Sequence, residues 1–148
     1  MTSARHLYWQ LFAPIVVGVR AIILCEGKVL LVRHSYYDRR SWYLPGGGVR
    51  RKEALTDALR REIKEELNAD IRIERLHGIY YNFAHGASDH VAVFIASLTD
   101  QTGLRPSWEI SEFGFFDPRA LPDPTSPASR RRIEEYLASA SNLEYRAW

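Results

Sequence analysis

From residue 15 the chain reads IVVGVRAIIL, a β-branched and nearly continuous apolar run, followed by EG and then KVLLVRH. This pattern predicts two strands joined by a tight turn, with Gly27 supplying the positive φ. SWYLPGGG predicts a short strand that ends in a break. Pro45 has no N–H to give to a ladder, and Gly46, Gly47 and Gly48 let the backbone turn closely around a ligand or a helix end. From about Lys52 to Leu67 apolar residues recur at spacings of three and four without Gly or Pro, which predicts a helix, and Asn68 suits a left-handed cap beyond it. DIRIERLHGIYYNF and HVAVFIASL, separated by AHGASD, predict strands, and EFGFFDP a further short one. TSPASRRRIEEYLASA has a Ser-Pro start and an apolar series at Ile133, Tyr136, Leu137 and Ala140, so a last helix is expected, with its arginines as a solvated face. Strands, helix, strands, helix is the order of an α/β (α+β) layered structure with a mixed β-sheet.

Composition narrows this little. The 148 residues, 46% hydrophobic, suit one domain over residues 1–148 with a core of its own. A net charge of +2 argues against disorder and makes nucleic acid an unexpected partner, although Arg130, Arg131 and Arg132 form a local basic group. The single cysteine, Cys25, excludes an internal disulfide framework and a multi-cysteine zinc site. Gln10, Pro14 and Arg20 interrupt the first apolar run and no small-residue cleavage pattern follows it, so a cytoplasmic protein without a membrane segment is expected.

Candidate chemistry lies in LRREIKEELNAD, residues 59 to 70. At about 100° per residue, Glu62 and Glu66 fall within roughly 20° of Leu55, between Ala58 and Leu59 on the apolar side of the helix. An unpaired buried carboxylate costs several kcal/mol, and two of them one turn apart repel. A hard divalent cation reverses that sign, because Mg²⁺ takes carboxylate, water and phosphate oxygens. Taken alone, EIKEE favours a surface helix whose glutamates pair with Arg61 and Lys64. The preceding glycines change the balance: they can offer N–H groups to phosphate and a carbonyl to a metal, with Arg50, Arg51 and Lys52 adding positive charge.

Together, GGVRRKEALTDALRREIKEELNA resembles the signature of the Nudix hydrolases, G-x5-E-x7-R-E-U-x-E-E-x-G-U, where U is a bulky aliphatic residue. Gly47 takes the first glycine, Glu53 the first glutamate, Arg61 and Glu62 the RE pair, Ile63 the aliphatic position, and Glu65 and Glu66 the EE pair. Asn68 stands at the second glycine and Ala69 at the final aliphatic position, departures that bear on the helix exit and local packing more than on the chemistry. The resemblance implies a Nudix-type α/β/α sandwich and hydrolysis of a nucleoside diphosphate linked to another moiety. It also implies Mg²⁺, or Mn²⁺, held by Glu62, Glu65, Glu66 and the Gly47 carbonyl. Glu53 and Arg61 would orient the loop and helix, with Arg61 also steadying a metal-binding glutamate.

Hydrolysis at phosphorus needs a deprotonated nucleophile and neutralised phosphate oxygens, which metal ions supply. For the base, Glu66 ranks first, with Glu109 and Glu112 as loop candidates and His85 as a further base or phosphate contact. Arg33, Trp42, Gly46, Gly48 and Arg50 are the expected substrate contacts, with His34, Arg39 and Arg40 also near the glycine loop. Among Trp42, Tyr43, Tyr80, Tyr81 and Phe83, one or two would stack a base and the rest would serve the core. The extra marks of ADP-ribose, dinucleoside polyphosphate, NADH and coenzyme A hydrolases are not matched; Phe83, Ala84 and His85 occupy the region where the first group carries a proline. A nucleoside triphosphate or nucleotide sugar remains as the expected small-molecule substrate. A nucleotide-sensing domain without catalysis and an RNA 5′-end pyrophosphohydrolase are the alternatives, and a homodimer stays open.

Overall fold

The computed structural model describes residues 15–83, 88–138 and 145–148. In chain order its elements are β1 (Ile15–Cys25), β2 (Lys28–His34), β3 (Gly46–Gly48), α1 (Leu55–Leu67), β4 (Ile71–Asn82), β5 (Ser88–Leu98), β6 (Ile110–Phe116), α2 (Pro127–Leu137) and β7 (Arg146–Ala147). The seven strands form one mixed sheet in the order β6-β2-β1-β5-β4-β7, with β3 also paired to β1. β1 organises it. One edge runs parallel with β5 from Ile15 to Leu24, while the other is shared between β3, at Gly18–Arg20, and β2, at Leu24 and Cys25. The β1–β2 turn places Glu26 and Gly27 at φ 51° and 76°, the paired left-handed conformation that matches the twist of two joined strands.

Strand alternation divides the apolar side chains between two cores. Val19, Ala21 and Ile23 of β1, Leu30 and Val32 of β2, and Ala92, Phe94 and Ala96 of β5 face α1. Ile22, Val29, Leu31, Val93 and Ile95 face the opposite way, toward Ile133 of α2, with Trp42 and Leu44 filling the same layer. The result is the expected sandwich of a mixed sheet between helices. Leu59, Ile63 and Leu67 pin α1 to its face of the sheet, each contributing about 1.5–3 kcal/mol through burial. Among the described residues no helix is long and apolar enough to cross a membrane.

Three expectations are corrected. Gly46, Gly47 and Gly48 are a strand on β1 rather than an open turn, with Pro45 and Val49 bonded to Ala21 and Val17 on either side. α1 begins at Leu55, not Lys52, because Lys52 is left-handed (φ 58°) and the Glu53 carboxylate accepts the Arg50 N–H at 2.9 Å, which bends the chain ahead of the helix. The arginines of α2 are not all solvated: Arg132 is 2% exposed, one turn beyond buried Ser129 and beside buried Ile133. Three adjacent arginines on a helix point about 100° apart, so one of them meets the core. Arg130 pairs with Asp123 and Arg131 bonds the Trp148 carbonyl, which leaves the local basic group largely committed. Ala140 of the predicted helix lies outside the described residues.

Asn68 ends α1 as predicted, at φ 53° and ψ 33°, with its N–H bonded to the Lys64 carbonyl. Its side chain donates to the Gly103 carbonyl at 3.1 Å, an anchor that glycine lacks. Asn68→Ala is expected to cost about 1–2 kcal/mol, since alanine meets the left-handed penalty without the anchor. Asn68→Gly should recover part of that loss. Chemical denaturation of the three proteins checks the order, and equal stability of Asn68→Ala and wild type would refute it.

Candidate active site

The glycine strand and α1 meet at one place because both pack on β1. Gly46 sits opposite Arg20 with φ 142°, and a β-carbon there would drive into the Val19 carbonyl. That close approach brings the Gly46 N–H within 3.1 Å of Glu66 Oε2. A β-carbon on Gly47 would fall inside the Glu62 carboxylate. The absence of side chains on β3 is therefore what admits two glutamates of α1 against it. Gly46 gives its N–H to Glu66 rather than offering it to a phosphate.

Arg61 holds the remaining geometry. Its Nε and one terminal nitrogen grip both oxygens of Glu53, at 2.7 and 2.9 Å. The same side chain donates to Glu62 Oε1 at 2.7 Å and to the Gly48 carbonyl at 2.9 Å. One cation thus ties the start of the box, the glycine strand and the helix, and a bidentate arginine pair keeps that register better than a point charge would. The Arg61 guanidinium beside Glu53 holds its carboxyl down at about 2.

Glu62 and Glu66 line a cavity of about 350 Å³, together with Arg20, His34, Gly47 and Glu109. Glu66 is 3% exposed, and burial pushes its carboxyl up to about 8, with the charges of Glu62 and Glu109 adding to the effect and Arg20 opposing it. His34 is buried as well, and burial followed by the Arg20 charge lowers its imidazole, so it is neutral near pH 7. Arg20 is then the one permanently cationic side chain among the described lining residues. It sits in the β-branched run of β1, where an arginine at an otherwise apolar strand position was the sequence signal of its role. Tyr36 and Tyr37, also on this wall and in ring contact with His34, carried no comparable signal.

Other expected site residues fall elsewhere. Glu65 is half exposed and pairs with Arg50 and Arg61, each at 3.3 Å, so it lies outside the cavity lining. Among the described residues no three His, Cys, Asp or Glu side chains are gathered as a metal site. Glu112 lies on β6 paired to Arg33 at 2.9 Å, and neither lines the cavity. Trp42 is corrected: at 4% exposure it packs edge-on against Phe116 under the Arg33 guanidinium, a core position with no face free to stack a base. Tyr80 is likewise buried. Gly46 and Gly48 do line the cavity, although the Gly48 carbonyl is taken by Arg61, and His85 lies outside the described residues.

The donor set suits a divalent cation. Two carboxylates, Glu62 and Glu66, line the cavity where burial makes uncompensated negative charge costly, and a cation bound to oxygen removes that cost. Glu65, on the same helix, is paired instead with exposed Arg50 and with the largely buried Arg61.

Comparison with known proteins agrees with this geometry. The NUDIX domain family model matches residues 14–137. The low-salt glycan biosynthesis protein Agl8 of Haloferax volcanii is 34% identical over 69% of this chain and 70% of its own. The ADP-ribose pyrophosphatase of Methanocaldococcus jannaschii is 31% identical over 77% of this chain and 69% of its own. Among solved structures, the MutT NUDIX hydrolase of Burkholderia pseudomallei superposes with a TM-score of 0.69 at 29% identity, over 82% of this chain and 97% of that one. With the signature residues assembled on a glycine strand and its clamped helix, the chain belongs to the Nudix family and is a hydrolase acting on pyrophosphate bonds.

Proposed function

We infer that the protein hydrolyses a pyrophosphate bond in a small nucleotide, a nucleoside triphosphate or a nucleotide sugar, with Mg²⁺ as the resident cation and Mn²⁺ able to replace it. The reading rests on one observation: a cavity that must take polyphosphate is floored by the carboxylates of Glu62 and Glu66, with Glu109 on its wall. Anionic substrate cannot approach that surface without intervening positive charge, and Arg20 alone does not balance it. When bound, a divalent cation neutralises phosphate oxygens and lowers the pKa of water. Glu62, Glu66 and the Gly47 carbonyl would hold it, with Glu65 completing the set.

The chain's own groups then divide the work. Glu66, anchored by the Gly46 N–H, is committed to the floor. Two further carboxylates stand on the cavity wall, Asp89 at the start of β5 and Glu109 on the segment ahead of β6, and Glu109 is the one we assign to take a proton. Arg20 steadies the phosphates, and the neutral His34 can share a hydrogen bond without adding charge. The relatives are named for low-salt glycan biosynthesis and as an ADP-ribose pyrophosphatase, and no one substrate is common to them.

A Mg²⁺-dependent phosphate-release screen over nucleoside triphosphates, nucleotide sugars, dinucleoside polyphosphates and capped RNA tests the function, with Glu66→Gln as control. Turnover of a nucleoside triphosphate or nucleotide sugar by wild type and its loss in Glu66→Gln is the expected result. Nucleotide binding without turnover of any substrate would favour a sensing domain instead. Glu109→Gln should lower kcat by about 10²–10⁴-fold, the range for a lost general base, while divalent-cation affinity by calorimetry stays near wild type. Loss of cation affinity in that variant would reassign Glu109 to the metal.

Without a cation, Glu66 also makes stability fall as pH rises. Its carboxyl ionises near 4.5 when unfolded and near 8 when folded. Between those values the folded state holds more protons, so unfolding becomes easier with rising pH. The contribution is fully present below 4.5 and is lost by about 8. In chelator, Glu66→Gln should therefore gain on wild type in urea unfolding across this window, and adding Mg²⁺ should close the gap. A constant difference across the window would show that Glu66 is not held protonated.

A further inference from the structure

The catalytic cavity continues into a second one. A space of about 440 Å³ shares Arg20, Tyr37, Asp89 and Val91 with the first, so the two form one cleft along β1 and β5. Its far wall includes Tyr43, Ser129 and Trp148. Trp148 directly follows β7, the strand at the β4 edge of the sheet.

Tyr145–Trp148 lies along β4 with Arg146 and Ala147 in parallel register to Tyr80 and Tyr81, and the Trp148 N–H bonds the Tyr81 carbonyl at 2.9 Å. Arg132 reaches from α2 to the Ala147 carbonyl at 3.3 Å, and Arg131 to the Trp148 carbonyl at 2.8 Å. The buried Arg132 guanidinium stacks 3.9 Å from the Tyr80 ring and 5.5 Å from that of Trp148. Glu135 fixes this cation at 2.9 Å and also accepts the Tyr80 hydroxyl at 2.8 Å. At the other end Tyr145 stacks on His90, with its hydroxyl 2.6 Å from Nε2, and His90 lines the catalytic cavity. A buried arginine is expensive unless well satisfied. Here it rigidifies a segment whose two aromatic ends touch both parts of the cleft.

We propose that Tyr145–Trp148 is a strap that builds the base-recognising half of the cleft, with Trp148 as a specificity-determining residue and Arg132 as the positioning residue that holds it. This rests on the nucleotide reading and deepens it. The second cavity is large enough for a nucleoside-sized group. Tyrosine and tryptophan rings beside hydroxyl and carboxylate groups suit a planar heteroaromatic ring with polar edges better than a saturated sugar or inositol. Phosphates at the Glu62 and Glu66 floor would place the base toward Trp148. The part of the substrate that is chosen is thus separated from the part that reacts.

The test compares wild type, Trp148→Leu and Trp148→Phe on a nucleoside triphosphate and on inorganic tripolyphosphate, which offers the same bond without a base. Binding of a non-hydrolysable nucleoside triphosphate analogue is measured alongside by calorimetry. Losing one stacked ring should weaken nucleotide binding about tenfold or more in Trp148→Leu and raise KM correspondingly, with kcat little changed. Tripolyphosphate kinetics should match wild type, and Trp148→Phe should recover most of the affinity. Unchanged nucleotide affinity in Trp148→Leu, or equal loss toward both substrates, overturns the strap and leaves the nucleotide reading standing. Wild type that binds no nucleotide yet cleaves tripolyphosphate overturns the nucleotide reading itself, and the strap with it.

Discussion

The Glu66 carboxylate is buried at the seam between a helix and a glycine strand, and the surrounding architecture keeps it there. Three aliphatic anchors, Leu59, Ile63 and Leu67, press the helix onto the sheet. Their burial offsets a carboxylate that would otherwise turn outward to water. β3 contributes the other half, since Gly46 brings its N–H to within hydrogen-bonding distance of Glu66 and a side chain at Gly46 or Gly47 would collide. The site is thus prepaid by packing on one side and by missing β-carbons on the other.

Arg61 turns this seam into a fixed geometry. By holding Glu53, Glu62 and the Gly48 carbonyl together, it couples the chain ahead of the helix, the strand and the metal-facing edge. The ion pairs of Glu65 with Arg50 and Arg61 are of a different kind, solvent-exposed and weak. Glu65 is thus held more loosely than Glu66, which is buried and anchored by the Gly46 N–H.

On the opposite face of the sheet the same physics appears with another sign. Arg132 is a buried cation satisfied by Glu135, carbonyl oxygens and the faces of Tyr80 and Trp148. A buried carboxyl thus stands in one cavity, and a buried cation braces Tyr80 and Trp148 beside the other. The two cavities meet at Arg20 and Val91, on the neighbouring strands β1 and β5.

Local rules determined much of this protein. The alternating strands, the helix period, the Asn68 cap and the Ser126-Pro127 start of α2 depend on neighbours a few residues away, and so does the spacing that places Glu62 and Glu66 on one stripe. The family signature was legible for the same reason, as a helix and its approach written continuously. Tertiary structure alone decided that the glycines would be a strand, that Trp42 would be core, that Glu65 and Glu112 would lie outside the cavity, and that Arg20, His34 and Trp148 would line one cleft. Each depends on which strands pair and which face a side chain takes once they do. A strand period says that residues alternate, but the partner strand and the layer above it determine whether a given side chain meets solvent, core or substrate.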